Sequence, residues 1–288
     1  MEQKGNREEL ILYWHFASLV RDHGFRKAVS IAKEWGFDGI ELLASGSPFF
    51  SSVHEAEEAG RIVTDAGLKV ACYSVGVTLY GSEEVVEQLK IHSEQASAVG
   101  SPYLHHTLYL DMPPASDAPS FDAVCEDVVT RACTVAKECR SLGLTCLYEE
   151  QGMYFNGLDA FGSFFNIMKA ECDNVGMCLD LGNSWDADCS PLLFIDRFAE
   201  DIRHVHVKDF ERRLTSPEDG AGWHRSKGGW YLKDTVPGRG VSNIPTCIDR
   251  LRQISYHGCY AFELELPYPV PFFDGLMEAM RLFEVPSV

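Results

Sequence analysis

The stretch IRHVHVKDF, residues 202–210, alternates polar and apolar side chains in the manner of a β-strand. Because successive side chains of a strand point to opposite faces, its two histidines and Lys208 share one face, and its two valines share the other. Two imidazoles and an ammonium form a poor core surface but a good wall for a metal or substrate site. We therefore expect the valines to pack on surrounding helices and the polar face to line such a site.

Similar short apolar runs recur along the chain, most of them about 30 to 40 residues apart. They predict eight strands, at residues 10–16, 39–43, 69–75, 103–110, 144–150, 175–180, 202–209 and 260–266. Stretches with apolar residues at helical spacing alternate with them, at residues 25–36, 82–100, 121–143, 243–258 and 272–283. The order along the chain is that of a repeated strand and helix.

Strands that alternate with helices of this length predict parallel pairing. Eight such units in 288 residues match the count and length of a (β/α)₈ barrel, so we predict an α/β fold with one TIM-barrel domain over residues 1–288. A doubly wound sheet is the alternative, but no G-x-G-x-x-G follows the first strand. The connection at about residues 211–242, after the seventh strand, is long enough to predict a functional lid. Its PGRG segment, residues 237–240, is better explained as an ordinary turn than as a phosphate loop.

Composition narrows the class of protein. The ten cysteines include no C-x-x-C pair, which favours buried thiols over disulfides. No apolar run could span a bilayer and the first residues are polar, so we expect a cytoplasmic protein with no membrane contact. The formal net charge of −18 argues against nucleic-acid binding. The locally basic segment 203–239 suits a small anionic or polyhydroxylated ligand, although a solvated loop explains its charge equally well.

Candidate site residues lie at the strand ends, where barrels of this kind carry their catalytic groups. Apolar positions mark the outward face of each strand, so the alternate positions point inward. This phase sends Asp180 of the sixth strand and His206 of the seventh inward, and it does the same for Glu263 and Glu265 of the eighth. In the fifth strand, the apolar set selects Glu149 over the glutamate that follows it.

The four strand ends together predict a metal site. Three unpaired carboxylates at a low-dielectric mouth would repel each other at a cost on the order of several kcal/mol. A divalent cation removes this cost. A set rich in hard oxygens with one imidazole suits one Mn²⁺, our first choice, and is compatible with Mg²⁺, Co²⁺ or Zn²⁺.

These strands carry a resemblance over nearly the whole chain. The segments concerned are GFDGIEL (36–42), GLTCLYE (143–149), GMCLDLGN (176–183), HVHVKD (204–209) and GCYAFEL (258–264). They are similar to the xylose isomerase-like TIM barrel superfamily, in particular its sugar phosphate isomerase/epimerase branch, and resemble ketose 3-epimerases, hydroxypyruvate isomerase and inosose dehydratase. The resemblance implies one metal ion bound by four ligands, Glu149, Asp180, His206 and Glu263. It also implies that the two glutamates are the catalytic acid and base, and that Arg212 binds substrate.

Further residues are expected to bind the substrate. Asn183 stands where several members of the family have a histidine, and its amide can hydrogen-bond a sugar hydroxyl. Lys208 either stabilises developing negative charge or pairs with the adjacent aspartate. His105, His15 and Glu41 follow the inward phase of their strands, which would turn Trp14 and Phe16 towards the helices. A buried, hydrogen-bonded histidine remains the alternative for both imidazoles.

The leading hypothesis is a metal-dependent isomerase or epimerase of a ketose or keto-sugar, with or without a phosphate group. It would remove an α-proton and return one through a metal-stabilised enediolate. The alternative is a lyase on the same scaffold, an inosose-type dehydratase or an enzyme that cleaves keto-glycosides. A non-catalytic sugar-binding barrel is a third hypothesis. An abasic-site endonuclease is disfavoured, because the segment after residue 210 lacks a D-x-H pattern. The expected partner is a small sugar, and a homo-oligomer is compatible with the resemblance.

Overall fold

The protein is described from a computed structural model at residues 7–45, 47–110, 117–217, 220–267 and 270–284. Within these residues, eight parallel strands close into a barrel in the order β1, β11, β7, β6, β5, β4, β3, β2. Their bounds are β1 (Glu9–Leu12), β2 (Gly39–Ser45), β3 (Lys69–Gly76), β4 (Tyr103–His106), β5 (Thr145–Glu149), β6 (Val175–Asp180), β7 (Ile202–Val207) and β11 (Cys259–Phe262). Pairing of β1 with both β2 and β11 closes the ring. The predicted single-domain (β/α)₈ barrel is confirmed.

Helices surround the barrel and connect its strands. They are α1 (Phe16–His23), α2 (Phe25–Glu34), α3 (Val53–Asp65), α4 (Glu83–Ala98), α5 (Phe121–Ser141), α6 (Gly152–Phe155), α7 (Leu158–Glu171), α8 (Pro191–Arg197), α9 (Ile244–Gln253) and α10 (Val270–Met280), with 3₁₀ turns at Asn183–Ala187 and Arg281–Phe283. The hydroxyls of Ser52, Ser82 and Ser120 accept a backbone N–H in the first turns of α3, α4 and α5. A serine cap of this kind stabilises a helix by about 1 kcal/mol.

The main core lies between the outer face of the strands and the helices. Val205 and Val207 are fully buried there, as the alternation in β7 predicts. A smaller apolar cluster inside the barrel includes Ile11, Ala71 and Ala261. The inward residues of β7, His204 and His206, are polar and fully buried. The barrel interior therefore holds ionisable groups as well as a packed apolar layer.

Several element boundaries differ from the sequence prediction. The first, fourth and eighth strands end at Leu12, His106 and Phe262, before the predicted ends. The apolar run outlasts the strand because loop residues such as Leu108 and Leu264 are themselves buried. Helices α1, α3, α6, α7 and α8 were not predicted. Helix α8 has only seven residues, too few to show a clear periodicity. Helix α7 does have its buried apolar residues at helical spacing, at 161, 164, 165 and 168, and this signal was available in the sequence.

The predicted long connection after β7 contains a small antiparallel sheet. Its strands β8 (Phe210–Arg213), β9 (His224–Arg225) and β10 (Tyr231–Asp234) lie in the order β8, β10, β9. We call this connection, at about residues 211–242, the excursion. The buried carboxylate of Asp209 holds its two ends together, because it accepts backbone N–H groups of Phe210, Gly238, Gly240 and Ser242 at 2.8–3.0 Å. A Cβ on Gly240 would lie 2.2 Å from Asp209 Oδ1. The PGRG segment therefore binds a carboxylate of its own chain.

Two expectations from composition can be compared with the structure. All ten cysteines are free thiols, and eight of them are buried, as predicted. In the ranges described above, the helices all fall short of the length and apolarity needed to cross a bilayer.

Candidate metal and substrate site

Four side chains from neighbouring strands converge at the carboxyl end of the barrel. Glu149 ends β5, Asp180 ends β6, His206 lies in β7 and Glu263 directly follows β11. One ligand atom from each lies within 4.8 Å of the others, and all four residues are at most 4% exposed. Parallel strands bring their carboxyl ends to one rim, and the shared inward phase turns the four groups to one point.

The imidazole of His206 stands at the centre of this group. Its Nδ1 lies 2.8 Å from Glu149 Oε1 and 3.1 Å from Glu263 Oε2. The ring of Tyr13 stacks on the imidazole with centroids 4.7 Å apart and an interplanar angle of 22°. Burial by itself would lower the pKa of His206, but its acidic neighbours raise it well above the usual value. The Nδ1 atom thus faces two carboxylates across the distance at which a cation could bind all three.

Glu41 holds the other side of the same ring. Its Oε1 accepts from His206 Nε2 at 3.1 Å and from Ser74 Oγ at 2.5 Å, and its Oε2 accepts from His204 Nε2 at 2.7 Å. Burial would raise the pKa of Glu41, but the two histidines hold it well below the usual value. A carboxylate that accepts from Nε2–H leaves the Nδ1 lone pair of His206 free to bind a metal.

Lys208 neutralises the most acidic member of the group. Its ammonium contacts Glu263 Oε1 directly and lies 3.4 Å from both Asn183 Oδ1 and Glu265 Oε1. Although burial would raise the pKa of Glu263, the ammonium lowers it to about 2. Burial would likewise lower the pKa of Lys208, but Glu263 raises it well above the usual value. The alternative that Lys208 pairs with Asp209 is wrong, because Asp209 caps the loop instead.

Among the described residues, only one of the two carboxylate oxygens of Asp180 has hydrogen-bond partners. Its Oδ1 accepts the backbone N–H groups of Gly182 and Asn183, each at 2.6 Å. Its Oδ2 is buried and has no hydrogen-bond partner among the described residues. Burial raises the pKa of Asp180 to about 8, against the opposing charge of Lys208. A buried carboxylate oxygen without a partner is costly, so this orphaned atom, among two glutamates and an imidazole, fits a divalent cation.

A cavity of about 160 Å³ opens above the four residues. Glu149 and Glu263 form part of its floor, and Trp14, His105 and Glu265 form part of its wall. His105 Nδ1 lies 3.0 Å from Ser74 Oγ, and its Nε2 lies 3.6 Å from Glu149 Oε2. Burial lowers the pKa of His105 to about 3, so the ring is neutral. Because Ser74 Oγ donates its hydrogen to Glu41, the single ring N–H of His105 lies on Nδ1, and Nε2 can accept from a ligand.

Of the six residues expected to bind substrate, only His105 is among the described residues that line the cavity. The other five, Glu41, His15, Arg212, Asn183 and Lys208, are not part of this lining. Glu41 lies below it, under His206. His15 Nε2 lies 3.1 Å from the carbonyl oxygen of Leu266, at a left-handed φ of 63° that begins α1. These positions depend on how far along the barrel each side chain lies and on the geometry of the loops, and strand alternation specifies neither.

Arg212 is held within the excursion. Its guanidinium lies 3.9 Å from the ring centroid of Trp230 and 5.1 Å from that of Trp185, and its Nη2 lies 3.4 Å from Asp188 Oδ1. Cation–π contacts with two indole rings restrict the orientation of the guanidinium. The role in substrate binding that the family resemblance implies for Arg212 stays a prediction.

Sequence reasoning missed several residues of the site. Tyr13 and Trp14 both line the cavity, although Trp14 was expected to face the helices. Tyr13 continues the inward phase of β1, and this signal was available in the sequence. Glu150 was set aside as the outward neighbour of Glu149, yet it is fully buried and its Oε1 accepts the Asp180 N–H at 3.1 Å.

Known proteins share the sequence pattern and the fold of this chain. The sequence profile of the family described as xylose isomerase-like TIM barrel matches residues 29–284. No curated protein sequence matches the chain significantly. Solved structures of similar fold include 3-keto-D-glucoside 4-epimerase from E. coli, with 16% identity over 91% of this chain and 94% of that one and a TM-score of 0.70.

Two further structures are similar to the same extent. The probable 3-DHS dehydratase of petrobactin synthesis from Bacillus anthracis is 15% identical over 97% of this chain and 100% of its own, with a TM-score of 0.72. A xylose isomerase-like TIM barrel protein from Mycobacterium smegmatis, in complex with magnesium, is 15% identical over 99% of this chain and 98% of its own, with a TM-score of 0.70. At these identities the likeness concerns the fold.

Proposed function

The chain belongs to the xylose isomerase-like TIM barrel family, and from this premise we propose that it is a divalent-metal-dependent isomerase or epimerase of a ketose or keto-sugar. The observation that carries the proposal is the convergence of Glu149, Asp180, His206 and Glu263, all buried, beside a cavity of about 160 Å³ that two of them line. The orphaned Oδ2 of Asp180 supports the presence of a cation in this group. Mn²⁺ is the ion to test first, followed by Mg²⁺.

These four residues would hold the ion. When bound, it would supply positive charge for the negative charge that develops on the substrate oxygens as an α-proton is removed. The protein itself would perform the proton transfers. Glu149 and Glu263 would form the acid–base pair: burial raises the pKa of Glu149 towards the range that proton transfer requires, whereas Lys208 keeps Glu263 ionised.

The other residues around the cavity would position the substrate. His105 is neutral and its Nε2 lies 3.6 Å from Glu149 Oε2, so this nitrogen can accept from a substrate hydroxyl next to the proton that moves. The amide of Asn183 has a buried Nδ2 with no partner in the described part of the chain, and this N–H donor suits a sugar hydroxyl. Tyr13 and Trp14 would exclude water from one side of the cavity.

The test is proton exchange with solvent. Purified protein loaded with Mn²⁺ is incubated in D₂O with a panel of ketoses and keto-sugars, and ¹H NMR follows loss of signal at the carbon next to the carbonyl. We expect exchange by wild type and its loss in Glu149→Gln and Glu263→Gln, while the exposed Glu94→Gln control exchanges at the wild-type rate. An isomer that carries deuterium supports isomerisation, whereas a product that lacks water or an aglycone supports the lyase. Exchange by neither wild type nor variants would refute both.

A further inference from the structure

The charge of the cavity bears on the substrate class, a question that rests on the proposed function. Three carboxylates, those of Glu149, Glu263 and Glu265, line the cavity, and Asp180 lies in contact distance below it. Its other lining side chains are neutral, and neither a lysine nor an arginine is among the described residues of the lining. Outside the described ranges, residue 46 and the segments 111–116, 218–219, 268–269 and 285–288 contain no lysine or arginine, whereas residues 1–6 contain Lys4.

The nearest cations are already committed to carboxylates. The Lys208 ammonium contacts Glu263 and lies 3.4 Å from Glu265, and it is buried beneath the rim. The guanidinium of Arg212 has cation–π contacts with two indole rings and lies 3.4 Å from the carboxylate of Asp188. Neither cation is part of the described lining of the cavity, and each already lies beside a carboxylate.

The balance of charge can be counted from these residues. With all four carboxylates ionised, Lys208 offsets one negative charge and a divalent ion offsets two, which leaves one net negative charge before substrate enters. A dianionic phosphate would therefore meet repulsion in a partly desolvated site. A neutral polyol chain would meet none, and it finds hydroxyl partners in Ser45, Thr107 and Gln151.

Part of the cavity lining is apolar. Leu43, Val75 and the indole of Trp14 belong to it, and such a surface packs against the C–H face of a sugar. We infer that the substrate is an uncharged ketose or keto-sugar without a phosphate group, and that Glu265 at the rim rejects phosphate esters. Glu265 is suited to this role because it lines the cavity, its side chain is 42% exposed and its Oε1 lies 3.4 Å from the Lys208 ammonium.

The experiment compares matched neutral and phosphorylated substrates. Mn²⁺-loaded wild type is incubated in D₂O with D-fructose and D-fructose 6-phosphate, D-ribulose and D-ribulose 5-phosphate, and the remaining sugars of the panel. For the fastest pair we expect the neutral sugar to exchange its α-proton at least about tenfold faster than its ester. A faster ester would overturn the inference and leave the proposed function intact. Exchange by no member of either class would overturn both.

Charge variants at the rim test the role of Glu265. Glu265→Lys should reduce the preference for the neutral sugar at least about tenfold, and Glu265→Gln should reduce it by less, because the first variant changes the rim by two charges and the second by one. Glu94→Lys, which makes the same change of net charge on the exposed face of α4, should leave the preference unchanged. A preference that stays the same in both Glu265 variants, or that shifts equally in the control, would refute the assignment to Glu265.

Discussion

Substitution of Glu41 by glutamine should weaken metal binding although Glu41 itself binds no metal in this arrangement. The carboxylate accepts from Ser74, His204 and His206, and the contact with His206 Nε2 fixes the tautomer that presents Nδ1 to the other ligands. Glutamine has the same shape, but it offers one accepting oxygen instead of two and carries no charge. The imidazole of His206 then loses its orienting partner.

The expected size follows from the role of such partners. Loss of a carboxylate that orients a metal-binding histidine lowers metal affinity about 10- to 100-fold, or about 1.4 to 2.7 kcal/mol of binding free energy. The full burial of Glu41 and His206 places the effect towards the upper end, because water cannot replace the lost acceptor. Proton exchange at saturating Mn²⁺ should fall less than affinity does.

Isothermal titration of the metal-free protein with Mn²⁺ measures the effect, and a competing chelator extends its range. Circular dichroism checks that the variant is folded, and the exposed Glu94→Gln is the matched control. Glu41→Asp, which keeps the charge but shortens the reach, should bind Mn²⁺ more tightly than Glu41→Gln. Mn²⁺ affinity of Glu41→Gln within about twofold of wild type would refute the reasoning.

Four further outcomes are expected. Glu263→Gln should lower the rate of proton exchange about 10²- to 10⁴-fold, measured by ¹H NMR in D₂O, and a loss of affinity without loss of rate would contradict its role in proton transfer. Mn²⁺ affinity should fall as pH is lowered from 8 to 6, because burial raises the pKa of Asp180 to about 8 and a proton then competes with the ion. Metal titrations that give the same affinity at both pH values would count against Asp180 as a ligand. Removal of metal with a chelator should lower the free energy of unfolding by about 4 kcal/mol relative to protein in a thousandfold excess of Mn²⁺ over its Kd, measured by urea titration, and equal stability would argue against a site in the folded state. Asp209→Ala should destabilise the excursion by about 2 kcal/mol or more, since four backbone N–H groups lose a buried acceptor, and unchanged hydrogen exchange at Gly238 and Gly240 would contradict this.

Much of the fold and part of the site could be predicted from the sequence. Alternation of apolar and polar residues gives the phase of a strand, and the phase alone turned Asp180, His206 and Glu263 inward. The spacing of eight such strands predicted the barrel, and a barrel brings the ends of its strands to one rim. Convergence of the four residues followed from local periodicity together with one closed topology.

The phase of a strand tells which face a side chain points to. It does not tell how far along the barrel the side chain lies or which residue it contacts, and both required the tertiary structure. Glu41 has the inward phase, but the register of β2 against β3 places it opposite Cys72, below the cavity. Lys208 precedes Asp209 in sequence, yet it pairs with Glu263 from a strand fifty-five residues later because β7 and β11 are neighbours.

The loops show the same division between local and long-range control. Trp14 follows the end of β1, where the chain leaves the strand geometry, so alternation no longer applied to it. Arg212 lies in the small sheet of the excursion, whose two ends are held together by Asp209. Its guanidinium contacts the indole rings of Trp185 and Trp230, which come from two separate segments. The sequence by itself determined which strands form and which face of each is buried, because those depend on the nearest neighbours along the chain. The tertiary structure alone decided which charges meet, because that depends on contacts between residues far apart in sequence.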